Sequence, residues 1–203
     1  MTPDEIAGQI ATAARALPPA PPRRLIAIAG PPAVGKSTIA AATARLLAVP
    51  LVPMDGFHLD NATLDARGLR ARKGAPETFD LAAFADLLGR LAKGGETAAP
   101  GFDRAADAVV PAMHQIPGAA DTLVIEGNYL LLDEPGWRDL TRNWTLSVFL
   151  SSDEATLERR LLKRWRDNGY DAAGAAQKAA HNDLPNARRI LANQFPADLE
   201  IPS

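Results

Sequence analysis

The chain has 203 residues, with 22 Lys and Arg against 24 Asp and Glu, a net charge of -2 and no cysteine. That length fits one domain with a sizeable core, and 47% apolar with 23% charged residues excludes general disorder. The lack of cysteine excludes a disulfide scaffold, a Cys-ligated zinc site and a cysteine nucleophile, while a pI near 5.9 argues against bulk binding to nucleic acid or anionic membrane.

Residues 3–17 carry Ile6, Ile10, Ala13, Ala14 and Leu17 at helical spacing, and Asp4 and Glu5 suit a first turn. The N-terminus has no basic residue before Arg15, so no export signal is expected. No apolar run reaches the roughly 18–20 residues that span a bilayer. The expected location is the cytoplasm, without membrane insertion. PPAPP at 18–22 ends the helix and makes a stiff connector, giving an N-terminal segment over 1–22 and one domain over 23–203.

LIAIAG (25–30) is a continuous apolar run ending in Gly, as expected of a strand buried on both faces. An alanine-rich helical pattern follows at 36–48, and LVPMD, ending at Asp55, predicts a second short strand. Segments 56–79 and 96–118 look least like regular structure and flank an amphipathic helix at 80–95 that stops at Gly94 and Gly95. TLVIEG (122–127) and TLSVFLSS (145–152) predict two more buried strands. A charged helix at 153–167 and one further helix at 171–193 complete the pattern. Alternating strands and helices predict a three-layer α/β/α sandwich around a parallel sheet, with ligands at the carboxyl ends of its strands.

GPPAVGKS, from Gly30 to Ser37, satisfies G-x-x-x-x-G-K-[ST] between an expected strand and an expected helix. Gly30 and Gly35 allow the backbone of Pro31, Pro32, Ala33 and Val34 to curl so that successive N–H groups face an anion. Lys36 then neutralises β- and γ-phosphate oxygens, the Ser37 hydroxyl ligates Mg²⁺, and Thr38 continues the helix whose N-terminus favours negative charge. The pattern predicts binding of a nucleoside triphosphate.

Two other matches are coincidental. Asp133–Gly136 fits D-x-x-G but lies away from the nucleotide, and Asn168–Asp171 mimics a guanine-reading motif without its Lys. The LSGGQ signature of transporter ATPases is missing. Asp55 closes the strand after the P-loop helix, where a carboxylate can accept the proton of an attacking hydroxyl. Glu126 closes the TLVIE strand and is the natural second acid for Mg²⁺. Residues 155–190 hold eight Lys or Arg against four Asp or Glu, with Arg160 and Arg164 on adjacent turns. They predict a basic lid near 155–175 that stabilises the transferring phosphoryl group and excludes water.

The ordered segments GPPAVGKST, MDGFHLDN (54–61), RKGAPETFD (72–80), PGFDR (100–104) and VIEGNYLLL (124–132) resemble the pantothenate kinase, uridine kinase and phosphoribulokinase branch of P-loop kinases. The overall look is closest to short bacterial proteins described as nucleoside kinase-like or fructose transport system kinases. The resemblance implies an ATP- and Mg²⁺-dependent enzyme that phosphorylates a hydroxyl of a small metabolite. It implies Asp55 as base, Lys36 and Ser37 as phosphate and Mg²⁺ residues, Glu126 sharing the metal, and lid arginines at Arg160 and Arg164. It also implies an acceptor pocket around His58, Arg72, Glu77, Asp103 and Asn128, and a nucleotide contact from Asn186. Where pantothenate kinases carry a His in a P-x-Y-S-H segment, Arg104 stands nearby in this chain.

A sugar, a nucleoside or a pantothenate-like alcohol all offer a suitable hydroxyl, and the resemblance favours a sugar such as fructose. The alternative is a nucleotide-dependent switch without a small-molecule acceptor. A nucleic-acid partner is not expected, and a homodimer is compatible with the sequence.

Overall fold

Helix α1 (Pro3–Ala16) opens on a capping box: Thr2 Oγ1 accepts from the Glu5 amide, the Glu5 carboxylate accepts from the Thr2 amide, and Pro3 stands in the first turn. The computed structural model describes residues 1–18 and 22–203, so residues 19–21 of the expected Pro-rich connector lie outside the described residues. Then follow strand β1 (Arg24–Ala29), helix α2 (Lys36–Leu47), strand β2 (Leu51–Pro53), and helices α3 (Asn61–Ala66) and α4 (Leu81–Ala92). Strands β3 (Thr97–Asp103) and β4 (Ala108–Ile116) form an antiparallel hairpin. Strands β5 (Thr122–Gly127) and β6 (Leu146–Ser151), helices α5 (Glu154–Asp167), α6 (Ala172–Lys178) and α7 (Leu184–Ala192), and strand β7 (Leu199–Pro202) complete the chain.

The main sheet is parallel, in the order β2-β5-β1-β6-β7. Its central strand explains the unbroken apolar run. Leu25, Ala27 and Ala29 pack in one core with Phe84, Leu87, Leu88 and Leu91 of α4. Ile26 and Ile28 point to the other core, with Ile6 and Ile10 of α1 and Ile39 of α2. A strand covered on both faces has no polar side, and all five of these β1 residues are fully buried. The expected three-layer parallel α/β fold is therefore the observed one. Helix α1 belongs to its core.

Four local expectations change. Asp55 does not end a strand, because β2 stops at Pro53, which lacks an amide to extend the ladder, and Asp55 stands in a 3₁₀ turn, Met54–Phe57. The segment expected to be irregular at 96–118 is mostly the β3–β4 hairpin. Pro100, Gly101 and Pro111 hide it from strand patterning, and the register shifts between Ala99 and Gly101. The single helix expected at 171–193 is α6 and α7 joined by a π-turn, Ala179–Asp183. Pro185 follows, and its ring would clash with the residue 181 carbonyl in an unbroken α-helix. Strand β7, only four residues long, was not anticipated.

Candidate active site

The P-loop is shaped by backbone geometry. Gly30 has φ +149°, and a Cβ there would sit 2.4 Å from the Leu150 carbonyl oxygen. Gly35 and Ala33 are left-handed as well, at φ 99° and 64°. The curl closes on itself: Lys36 Nζ donates to the Pro31 carbonyl at 2.8 Å. Ser203 Oγ donates to the Val34 carbonyl at 2.7 Å, and Arg160 Nη1 lies 3.5 and 3.4 Å from the Ala33 and Val34 carbonyls.

A cleft of about 1440 Å³ opens over this loop. It brings together Pro32, Ala33, Gly35, Lys36, Ser37 and Thr38 of the P-loop with Asp55, His58, Arg104, Glu126, Asn128, Arg160, Arg164 and Asn186. Gly30, Pro31 and Val34 are buried behind that surface and set the loop's shape. Three expected acceptor residues stand elsewhere. Asp103 caps the hairpin turn, its Oδ1 accepting from the Ala105 and Ala106 amides at 2.8 and 3.0 Å. Arg72 and Glu77 pair with each other at 2.9 Å, and Glu77 is held 3.1 Å from Arg189, which also binds Glu134. Arg72 and Glu77 thus fasten the 72–79 loop to α7, and Asp103 shapes the tip of the hairpin.

At the centre, Lys36 is buried, and the loss of hydration lowers its pKa to about 8, against the attraction of Glu126 and Asp55. Glu126 is buried too, which pushes its pKa up, while Lys36 pulls it down. Ser37 Oγ lies 3.3 Å from Glu126 Oε1. Among the described residues no group of three or more His, Cys, Asp or Glu is placed to hold a metal ion. Mg²⁺ asks for less, because it keeps waters and substrate phosphates and takes one or two protein oxygens. A hydroxyl and a carboxylate side by side at the phosphate loop fit that requirement.

The acceptor side is built from side-chain pairs. His58 stacks on Phe79 at 4.1 Å and leans on Phe102 at 5.0 Å. Burial lowers its pKa to about 4, so the ring is neutral at pH 7, and its Nδ1 has no hydrogen-bond partner. Lys73 Nζ reaches Asp107 Oδ1 at 2.6 Å and Asn61 Oδ1 at 2.8 Å, and Arg70 adds a 3.4 Å contact to Asp107. These bonds tie the hairpin tip to the 61–73 segment. Partial burial works against the charge of Asp107, but Lys73 and Asn61 outweigh it and hold its pKa below the usual carboxylate range. Arg104 Nη2 binds Asp55 Oδ2 at 2.7 Å.

At the α5 end of the cleft, Trp165 Nε1 donates to Asp183 Oδ2 at 2.6 Å and Arg164 stands 3.8 Å from Asp183 Oδ1. Trp165 meets Tyr170 edge-on at 5.3 Å, with Lys178 at 5.6 Å from both rings. Asn186 donates to Asn182, which donates to the Lys73 carbonyl, so the π-turn touches the acceptor side. Trp165 faces the cleft. Lys73, Asp107 and Asn182 were missed altogether. In RKG (72–74) Lys73 adjoins Arg72, and only the fold decides which of the two neighbours faces inward.

Residues 25–203 match the Phosphoribulokinase / Uridine kinase family. YggC, an uncharacterized protein of Escherichia coli, is 37% identical over 187 residues, covering 88% of this chain and 77% of its own length. A pantothenate kinase of Enterococcus faecalis is 32% identical over 71% of this chain, which spans only 50% of that longer enzyme. A crystal structure from Silicibacter sp. TM1040, provisionally described as a fructose transport system kinase, superposes with a TM-score of 0.89 at 44% identity, covering 100% of both chains. Among the described residues no helix is long and apolar enough to cross a membrane. A P-loop at the carboxyl edge of a parallel sheet, opening into one large cleft, joins these likenesses in one conclusion: the chain belongs to the Phosphoribulokinase / Uridine kinase family and is an ATP-dependent small-molecule kinase.

Proposed function

We propose that this chain transfers the γ-phosphoryl group of ATP to a hydroxyl of a sugar or sugar-like metabolite, with Asp55 as general base. One observation carries the reading. Asp55 lines the same cleft as Lys36 of the P-loop and His58, and its charge acts on both. A carboxylate there accepts the proton of the acceptor hydroxyl as its oxygen attacks the γ-phosphorus and the bond to the β-phosphate oxygen breaks. The electron pair leaves on ADP.

Lys36 and the P-loop amides of residues 31–38 hold the phosphates, and Arg160 and Arg164 meet the charge of the transferring group from the lid near 155–175. Ser37 and Glu126 would hold Mg²⁺, which supplies neutralisation of the β- and γ-oxygens when bound. Asn186 reaches the cleft from α7 and contributes to the nucleotide side. His58, Arg104 and Asn128 line the acceptor side, where the Phe79 and Phe102 rings offer an apolar floor for a carbon skeleton. The likeness to the Silicibacter protein supports a sugar skeleton. A coupled ADP-release screen over sugars, nucleosides and vitamins tests the reading. Turnover of a hydroxyl compound that Asp55→Asn removes supports it, and ATP consumption independent of every acceptor overturns it.

A further inference from the structure

We infer that the acceptor carries an anionic group besides its reactive hydroxyl, and that Arg104 leaves Asp55 to bind that group. The inference rests on the kinase reading above and concerns the acceptor half of the same cleft.

Arg104 is on the tip of the β3–β4 hairpin, its side chain 73% exposed, and its ion pair with Asp55 is its one side-chain bond among the described residues. Asp55 is the more enclosed partner, at 24% exposure. A flexible surface cation is therefore parked on the carboxylate that must take a proton. As long as the pair persists, one Asp55 oxygen is already engaged as the acceptor of an Arg104 N–H. When Asp55 accepts the hydroxyl proton it becomes neutral, and Arg104 loses the charge it was paired with. A carboxylate or phosphate on the acceptor replaces that charge, and guanidinium geometry suits either one.

The surroundings point the same way. Arg70, Lys73 and Arg104 stand in this half against Asp55 and Asp107, an excess of one positive charge in a chain whose total is -2. His58 adds none, being neutral at pH 7 with its pKa near 4. Lys73 is held by Asp107 and Asn61, and Arg70 stands between Asp107 and Asp65; Arg104 has the single partner Asp55 and is the most exposed of the three cations, so it is the one placed to change partners. The stacked His58 and Phe79 rings, with Phe102 beside them, take the uncharged part of the molecule. An acceptor with a polar, charged end and a carbon skeleton fits this arrangement, and occupancy of Asp55 by Arg104 keeps water from being activated before it arrives.

The test is coupled ADP release on pairs in which one terminal hydroxymethyl group is replaced by an anionic one: D-fructose with D-fructose 6-phosphate, and D-sorbitol with D-gluconate. The remaining neutral sugars and nucleosides are run beside their phosphate or carboxylate counterparts. The anionic member is expected to be preferred, and the phosphate and carboxylate arms show which anion is read. For the preferred acceptor, Arg104→Ala should raise KM roughly 10- to 100-fold, the worth of one charge-assisted hydrogen bond. Arg104→Lys should recover part of that loss, and acceptor-free ATP hydrolysis should rise in Arg104→Ala. Preference for a neutral member, or an anionic one whose KM is indifferent to Arg104→Ala, overturns the inference and leaves the kinase reading standing. Absence of turnover on every compound overturns both.

Discussion

The two halves of the cleft are made in different ways. The phosphate half is built around eight consecutive residues, Gly30 to Ser37, a loop between one buried strand and one helix whose carbonyls are the acceptors for Lys36, Arg160 and Ser203. The acceptor half is assembled from afar. Asp55 meets Arg104 across 49 residues, Lys73 meets Asp107 across 34, and Asn182 reaches the Lys73 carbonyl across 109. The P-loop half is thus held mainly through backbone carbonyls, and the opposite half through side-chain pairs. Such pairs can be rewired by single substitutions without touching the sheet.

That division can be broken from either side. The largest effect is expected at the seam. Asp55→Asn should lower kcat by about 10²- to 10⁴-fold, the usual worth of a general base, while ATP affinity by calorimetry stays within a few-fold. Equal losses in binding and turnover would mean that Asp55 serves the nucleotide half instead. Lys36→Ala comes next, with ATP binding or transfer weakened by roughly 100-fold through loss of a charge-assisted contact to phosphate. Unchanged ATP kinetics would remove the phosphate-loop role.

Gly56→Ala probes the acceptor half through its backbone. A Cβ at Gly56 would stand 2.2 Å from the Pro100 carbonyl oxygen, so the hairpin must shift. The acceptor KM should rise about 10-fold, since a displacement near 1 Å costs that much or more, while ATP affinity holds. A parallel loss of ATP affinity would show that the halves are not separable. The smallest effect is a pH dependence. Lys36 titrates near 8 in the nucleotide-free protein because burial favours its neutral form. ATP affinity should therefore be flat below that value and weaken as pH rises through it, by a few-fold per unit. A profile flat to pH 9.5 would show that Lys36 keeps its proton at no cost from burial.

The same division explains what could be read from the residues alone. LIAIAG and TLVIEG announced their strands because both faces are apolar, and the P-loop announced itself because its chemistry is contiguous. Lys36, Ser37, Asp55, Glu126, Arg160 and Arg164 all reach the cleft. Arg72, Glu77 and Asp103 do not, since each is spent on a bond that holds the acceptor half in shape. Lys73 and Asp107 were invisible for the converse reason: a pair separated by 34 residues leaves no trace in any sequence window. The hairpin was hidden by its own prolines and glycine.

The π-turn at Ala179–Asp183 has a consequence of a different kind. A π-turn is an α-helix with one residue too many, so it records a single inserted position. Deleting one residue from Ala179–Asp183 would remove that extra position, with Pro185 still barring an unbroken α-helix, and would change which side chains of the turn face the cleft. Asn182 and Asp183 would lose their present aim, one at the Lys73 carbonyl and the other at Trp165. A one-residue gap at this point among relatives would therefore mark a boundary between cleft architectures, and it is a length difference that comparison of residue identities alone overlooks.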